Sequence, residues 1–213
     1  MKFSRFLPFG LSLLLALSPA QAVSFGGLNV TPRGAQNLNL ETGATDMPSG
    51  GTATDSKGGL TLTASRMQLK PNEVLTAQGA TVKVKRGGTL TANQVTYDLK
   101  AGTVTATGNV SYTDARMSDL SAPTVVLHVK SGFVVASGGV KASKPSMSGN
   151  TLVFDPNTMQ AVLSGPFQIR HGTGANGPAG ARLLLTFAGN VLLNATPRPS
   201  ADDLARFNPY LGK

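Results

Sequence analysis

A two-part motif recurs along the middle of this chain at intervals of 27 to 30 residues. The first part places a small residue three positions before an apolar one. The second part is centred on Gly79, Gly108, Gly138 or Gly165, and a fifth copy around Gly189 has a degraded first part. The first parts begin at Ala64, Ala92, Ala122 and Gly149. Such a period is typical of supersecondary units that stack on one another.

Within each unit, apolar residues alternate with polar ones, as at Val95, Tyr97 and Leu99. This period of two, together with many Thr and Val residues, predicts strands with one buried face. Short breaks that contain Pro or Gly, such as 70–73 and 100–102, predict turns. Helical spacing is not sustained between residues 60 and 193. We therefore expect an all-β fold in which each unit of roughly 29 residues holds two strands and two turns.

The alternating apolar residues fall into columns when the units are aligned, so stacked strands would form one continuous apolar strip. The residues two before and two after each central glycine share its parity, and we expect them to face the same way as the glycine. A recurrent strand glycine also predicts a bend or bulge in every unit, which folds the sheet over the strip. The residues predicted to line the interior are Met67, Leu69, Val95, Tyr97, Val104, Val110, Val125, Leu127, Val140, Leu152, Phe154, Leu163, Phe167 and Phe187.

The N-terminus has the three parts of a secretory signal peptide. Lys2 and Arg5 precede a short apolar run over 11–17, and Ala20-Gln21-Ala22 ends the segment. We predict cleavage after Ala22 and export to the periplasm; the alternative is an uncleaved N-terminal anchor. The net charge of +9 favours anionic partners such as lipid headgroups over cationic ones, and export disfavours nucleic acid.

The other segments are predicted from composition. Residues 23–59 are rich in small and polar residues, which predicts an extended, weakly ordered segment before a β-domain over 60–193. Residues 171–181 predict a flexible loop. In the C-terminal tail, 194–213, Ser200 is expected to cap a short helix.

Few side chains suggest catalysis. The chain has no cysteine, and its two histidines, His128 and His171, are isolated from acidic residues at metal-binding spacing. His128 is expected on the polar side of its strand. The glycines of 172–177 match a dinucleotide fingerprint, but a strand follows them where a helix is required. We expect no enzyme activity, no cofactor and no metal site.

The segment from Leu90 to Val110 has the sequence LTANQVTYDLKAGTVTATGNV, and a similar sequence recurs at 120–140. This phrase resembles the repeat of the OstA-like (LptA-type) family of periplasmic lipopolysaccharide-transport proteins. The resemblance covers about residues 60–169, with a weaker tail to 193.

The resemblance implies an open antiparallel β-jelly roll of V-shaped repeats. It also implies that the interior residues line an apolar groove that carries lipopolysaccharide, or a similar anionic glycolipid, from the inner to the outer membrane. The implied partners are this lipid, related jelly-roll modules of an inner-membrane transporter and an outer-membrane translocon, and further copies of the chain stacked head to tail.

Two other functions remain open from the residues themselves. The same columns suit a filled core, which favours a secreted structural or adhesive repeat protein without lipid cargo. A β-rich enzyme that acts on a carbohydrate or a peptide would instead need a cleft with clustered polar residues.

Overall fold

The computed structural model describes residues 23–25, 27–55, 59–85, 87–172 and 174–211. The predicted signal peptide over 1–22 lies outside the described residues. Nearly all regular structure in this part of the chain is β-strand, and the strands form one open antiparallel sheet. The all-β fold predicted from the repeats and the open antiparallel arrangement implied by the resemblance are therefore confirmed.

Long strands form the middle of the sheet, and each pairs with the next one along the chain. They are β6 (Leu60–Lys70), β7 (Val74–Val84), β8 (Thr89–Asp98), β9 (Thr103–Thr113), β10 (Leu120–His128), β11 (Val134–Ala142) and β12 (Ser146–Asp155). Their lengths of 9 to 11 residues match the two strands expected in each unit.

Each of these strands folds sharply near its middle. In β7, Leu75 and Ala77 are buried, Gln78 and Gly79 face solvent, and burial resumes at Ala80. Side chains alternate between the two faces of a strand, so two outward residues in succession shift the inward–outward alternation by one residue. The shift keeps apolar side chains on the inner face of both halves. We call this line the bend; it runs through 65–66, 78–79, 93–94, 108–109, 123–124, 138–139 and 150–151.

The bend differs from the sequence prediction in two ways. It occurs in every long strand, so the motif that begins at Ala64 also marks a bend, whereas the sequence prediction placed bends only at the glycines. Gly79, Gly108, Gly138 and Gly189 are exposed, whereas the apolar residues two positions before them are buried; Gly165 is itself buried. Gly108 and Gly138 have φ of +72° and +88°, a conformation that glycine adopts without the strain of a side chain.

The bend divides the sheet into two layers that face each other across a shared core. Layer 1 contains the half-strands 67–70, 74–77, 95–98, 103–106, 125–128, 134–136 and 152–155. Layer 2 contains the half-strands 60–64, 80–84, 89–92, 110–113, 120–122, 140–142 and 146–149. Because one buried cluster includes side chains of both layers, the layers pack face to face.

The segment before β6 is also paired, although the sequence predicted weak order there. In layer 2, β5 pairs with β6 and β2 pairs with β5; in layer 1, β4 pairs with β6 and β3 pairs with β4. Leu28 and Val30 are buried against the core, which explains why this polar segment is held. The strands are β1 (Val23–Phe25), β2 (Leu28–Pro32), β3 (Asn37–Leu38), β4 (Thr45–Met47) and β5 (Gly51–Asp55).

The sheet also divides between the layers after β12. In layer 1, β13 pairs with the second half of β12, followed by β16 and β17; in layer 2, β14 pairs with the first half of β12, followed by β15. The segment predicted as a loop over 171–181 thus contains a short strand. These strands are β13 (Gln160–Ser164), β14 (Phe167–Arg170), β15 (Ala175–Gly177), β16 (Arg182–Ala188) and β17 (Val191–Pro197).

The C-terminal tail covers the outer face of layer 1. Ser200 caps helix α1 (Ala201–Leu204) through a reciprocal capping box with Asp203, and a 3-10 helix follows at Asn208–Tyr210. Between these helices, Phe207 is fully buried in a second cluster with four residues of the sheet. Those four residues are Phe133, Val153, Val162 and Leu184. The tail therefore docks where the outer face of the sheet is apolar.

Candidate functional site

All fourteen residues predicted to line the interior lie in one buried cluster. Val110, Val140 and Phe167 belong to layer 2, and the other eleven belong to layer 1. The structure therefore brings these residues together along the length of the sheet, mainly on the inner face of one layer.

Strand pairing aligns the layer 1 residues into two continuous rows. The row far from the bend joins neighbours on successive strands: Leu69, Leu75, Tyr97, Val104, Leu127, Val134, Phe154, Ala161 and Leu185. The row nearer the bend includes Met67, Ala77, Val95, Ala106, Val125, Ala136, Leu152 and Leu163. These rows are the physical form of the predicted apolar strip.

The interior narrows towards the bend. In layer 2, the row beside the bend starts with small residues that pair in sequence: Gly51, Ala64, Ala80 and Ala92. Farther from the bend, the paired positions hold larger side chains such as Val82, Leu90 and Tyr112. Small side chains permit close approach and large ones fill the wider part, so the two layers form a filled wedge.

The side of the wedge opposite the bend is where hairpin turns of both layers face each other. We call this side the mouth. Turns of layer 1 at 99–102, 129–132 and 156–157 lie across from layer 2 residues 59, 84, 85 and 87. Apolar space opens between the layers on this side.

Two adjoining cavities occupy the mouth, with volumes of about 290 and 440 Å³. Val84, Leu127 and Val129 line both. The first cavity is also lined by Leu90, Tyr112 and Val134, and the second by Leu60, Tyr97 and Leu99. The mouth is therefore an apolar slot that borders the main core.

Charged side chains lie at the rim of the mouth. Lys130 lines both cavities, Lys85 lines the first and Asp55 lines the second. Burial raises the pKa of Tyr97, and the negative charge of Asp55 raises it further, so the phenol stays protonated. The rim thus combines two cationic side chains, Lys85 and Lys130, with the anionic Asp55 and the neutral hydroxyl group of Tyr97.

Tyr112 forms the wall of the first cavity on the side of layer 2. Its hydroxyl accepts a hydrogen bond from the Gly88 amide at 3.1 Å and donates one to Asp114 Oδ2 at 3.2 Å. Burial raises the pKa of Tyr112, and the Asp114 carboxylate adds to the rise. The phenol is therefore a fixed hydrogen-bond donor in this wall.

Of the fourteen predicted lining residues, only Tyr97, Val125 and Leu127 are among those that line the two cavities. Val84, Leu90, Tyr112, Val129 and Val134 line these cavities but were not among the predicted lining residues. These residues occupy inward-facing positions of the apolar–polar alternation, but they lie at strand ends beside turns. Their position at the mouth depends on which turns face each other.

The histidines lie away from the mouth cavities. His128 is half-buried on the outer side of layer 1, as expected, but it contacts Tyr210 of the tail with ring centroids 4.7 Å apart. Burial lowers the pKa of His128. His171 is exposed after β14. No cluster of three or more His, Cys, Asp or Glu side chains suited to a metal occurs in the part of the chain that the structure describes.

Comparison with known proteins yields no matching family model and no significant match to a curated protein. The OstA-like resemblance thus rests on the repeat motif alone, and the structure supports only the open antiparallel all-β fold. Within the described ranges, no helix has the length and apolar character needed to cross a membrane.

Proposed function

We propose that this protein is a periplasmic lipid carrier of the OstA-like type. It binds acyl chains of lipopolysaccharide, or of a similar anionic glycolipid, in the mouth and carries or bridges the lipid from the inner to the outer membrane. The observation that supports this proposal best is the apolar slot with a lysine rim. The signal-like N-terminus supports the periplasmic location.

The slot suits an acyl chain in its size and chemistry. Small-molecule sites commonly span about 300–1,000 Å³, and the two adjoining cavities together fall within this range. Each methylene that leaves water gains about 0.8 kcal/mol. The walls at Val84, Leu127 and Val129 are uniformly apolar, so neighbouring positions of a chain differ little in free energy. A bound chain can therefore slide along the slot.

The rim suits an anionic headgroup. Lys85 and Lys130 lie at the opening, on opposite layers. A phosphate held between them would form charge-assisted hydrogen bonds while its acyl chains remain in the slot. The mature chain loses Lys2 and Arg5 with the signal peptide and keeps a net charge of +7, which attracts such lipids over a longer range.

Partners of the carrier can pair with the edges of the sheet. Strand β17 lies at one edge of layer 1 and exposes Val191 and Leu193, while Leu38 is exposed on β3 at the other edge. Exposed edge strands accept a further strand through main-chain hydrogen bonds. We propose that related jelly-roll modules of the transporter and the translocon, or a second copy stacked head to tail, add at these edges.

A structural or adhesive protein is the second candidate function. The observation in its favour is the dense interior: the residues of both layer 1 rows are all buried and belong to one cluster. In this alternative the mouth cavities have no cargo, and binding depends on the outer faces.

Photocrosslinking distinguishes the two functions. A photoreactive amino acid at Leu127 or Val134 should capture lipopolysaccharide added to the purified mature chain. The same residue at Thr105, whose side chain lies on the outer side of layer 1, is the control and should capture none. Capture at neither mouth position, with a folded protein, would overturn the carrier function.

Charge reversal at the rim provides a second test. The Lys85→Glu/Lys130→Glu variant should bind lipopolysaccharide at least tenfold more weakly, because each lost charge-assisted hydrogen bond costs about 1.5 kcal/mol or more. Lys83→Glu/Lys141→Glu changes two exposed lysines on layer 2 and carries the same net charge. Equal weakening in both variants would show that the rim has no specific role.

A further inference from the structure

The apolar surface of layer 1 continues beyond the point where the first cavity ends. Leu127, Val134 and Phe154 are neighbours on three successive strands of the same row. Leu127 and Val134 line the cavity, whereas Phe154 is fully buried. Other side chains must therefore cover the Phe154 ring, which does not line the cavity.

Phe187 of the same layer packs edge-on against this ring, with centroids 6.2 Å apart, and Arg116 from the opposite layer covers a face of the ring. Arg116 lies in the turn between β9 and β10, and its guanidinium carbon is 4.7 Å from the centroid of the Phe154 ring. Its Nη1 also lies 3.0 Å from Sδ of Met159, in the turn between β12 and β13. Arg116 thus crosses the mouth and joins the two layers, in a cation–π arrangement on the ring face.

Buried partners hold Arg116 in this position. Its Nε donates to Asp114 Oδ2 at 2.9 Å, and Asp114 Oδ1 accepts the Met117 amide at 2.8 Å. The side chains of Arg116 and Asp114 are only 10% and 1% exposed. Since Asp114 also accepts the hydroxyl of Tyr112, a wall of the cavity, the three side chains form one connected barrier.

We propose that Arg116 is the end stop of the lipid slot and sets the length of acyl chain that the protein admits. This inference rests on the proposed carrier function. A smaller residue at position 116 would uncover Phe154 and Met159 and extend the slot by one strand spacing, about 4.8 Å. Each additional methylene that becomes buried there should tighten binding about fourfold.

The test measures binding of saturated fatty acids, from octanoate to stearate, by displacement of a fluorescent apolar probe. Wild type should bind longer chains more tightly up to a limiting length, after which affinity stays level. In Asp114→Asn/Arg116→Ala the limiting length should increase by two to four methylenes. The paired change avoids a buried carboxylate without its cation, which would destabilise the fold.

Asp46→Asn/Arg66→Ala is the matched control. This exposed ion pair, 3.2 Å between its nearest atoms, lies between β4 and β6 and does not border the mouth cavities. Its limiting length should equal that of wild type. Arg116→Lys, which keeps the charge beside Asp114 but loses the planar stacking on Phe154, should give a smaller increase and is suitable if the double variant fails to fold.

The outcomes separate this inference from the proposed function. If wild type binds fatty acids and the limiting length is the same in folded variants at position 116, the end stop is refuted and the carrier function stands. If wild type binds neither fatty acids nor lipopolysaccharide, both are refuted.

Discussion

Removal of the Phe207 side chain should detach the C-terminal tail without unfolding the sheet. Phe207 is fully buried, with its ring edge-on to Phe133 at a centroid distance of 5.9 Å. The Arg206 guanidinium lies 5.0 Å from the same ring. Because Phe207 is the deepest side chain of the tail, Phe207→Ala removes the largest part of the apolar contact between tail and layer 1.

The expected magnitude follows from its burial. A Phe→Ala change at a fully buried site costs about 3–5 kcal/mol, and the lower end applies here because an end segment relaxes more easily than a central strand. A loss of about 3 kcal/mol weakens tail docking roughly a hundredfold. The core between the layers does not include Phe207, so its stability should change little.

Hydrogen exchange measures this local effect directly. The Phe207 and Tyr210 amides donate to the Leu204 and Phe207 carbonyls at 2.9 Å, and these hydrogen bonds need a docked tail. Their protection should fall about a hundredfold in Phe207→Ala, while the Val82 amide in β7 keeps its protection. Leu204→Ala, at a half-buried position, should give a smaller fall at the same amides.

Two results would contradict this reasoning. Unchanged protection at Phe207 and Tyr210 in the variant would mean that the buried ring does not hold the tail. An equal fall at Val82 would mean that the tail and the sheet unfold as one unit.

Three further predictions concern the bend, pH and the tail helix. Gly108→Ala should lower the free energy of unfolding by about 1–2 kcal/mol, because an alanine at φ +72° is strained. Gly189→Ala, at φ +57° with no other atom within 4 Å of the added Cβ, measures the backbone cost alone. Urea denaturation compares the two variants. Since burial lowers the pKa of His128, the unfolded chain binds more protons than the folded chain at acidic pH. The free energy of unfolding should therefore decrease as the pH is lowered through about 6.5, and less so in His128→Gln. Equal dependence of the unfolding free energy on pH in both proteins would refute this prediction. Ser200→Ala should weaken tail docking by about 1 kcal/mol, seen as faster exchange at the Asp203 amide, which now donates to Ser200 Oγ.

The pattern of apolar residues was sufficient to predict the strands and their rows. Alternation is a local property, because successive side chains of a strand point to opposite faces. Met67, Val95, Val125 and Leu152 recur at equivalent positions, so they could be placed in one column without coordinates. The bend was predicted at the glycines alone, because its polar pairs such as Asn93-Gln94 resemble ordinary strand residues.

The outer apolar face also left a signal in the sequence. Strand halves under the tail read as unbroken apolar triplets, as at 152–154 and 183–185, whereas strands near the N-terminus alternate with Thr and Gln. Unbroken runs are typical of strands buried on both faces. The sequence does not say what covers the second face, since Phe207 lies far along the chain from Phe133 and Val153.

The sequence by itself determined an all-β chain with bent strands and a continuous apolar interior, because period and turn chemistry act between near neighbours. Only the tertiary structure decided where that interior opens and what closes it. The slot lies where turns from different repeats face each other, and Arg116 contacts Phe154 and Met159 from the opposite layer. Contacts of this kind depend on how the two layers pack against each other, which no local pattern of residues specifies.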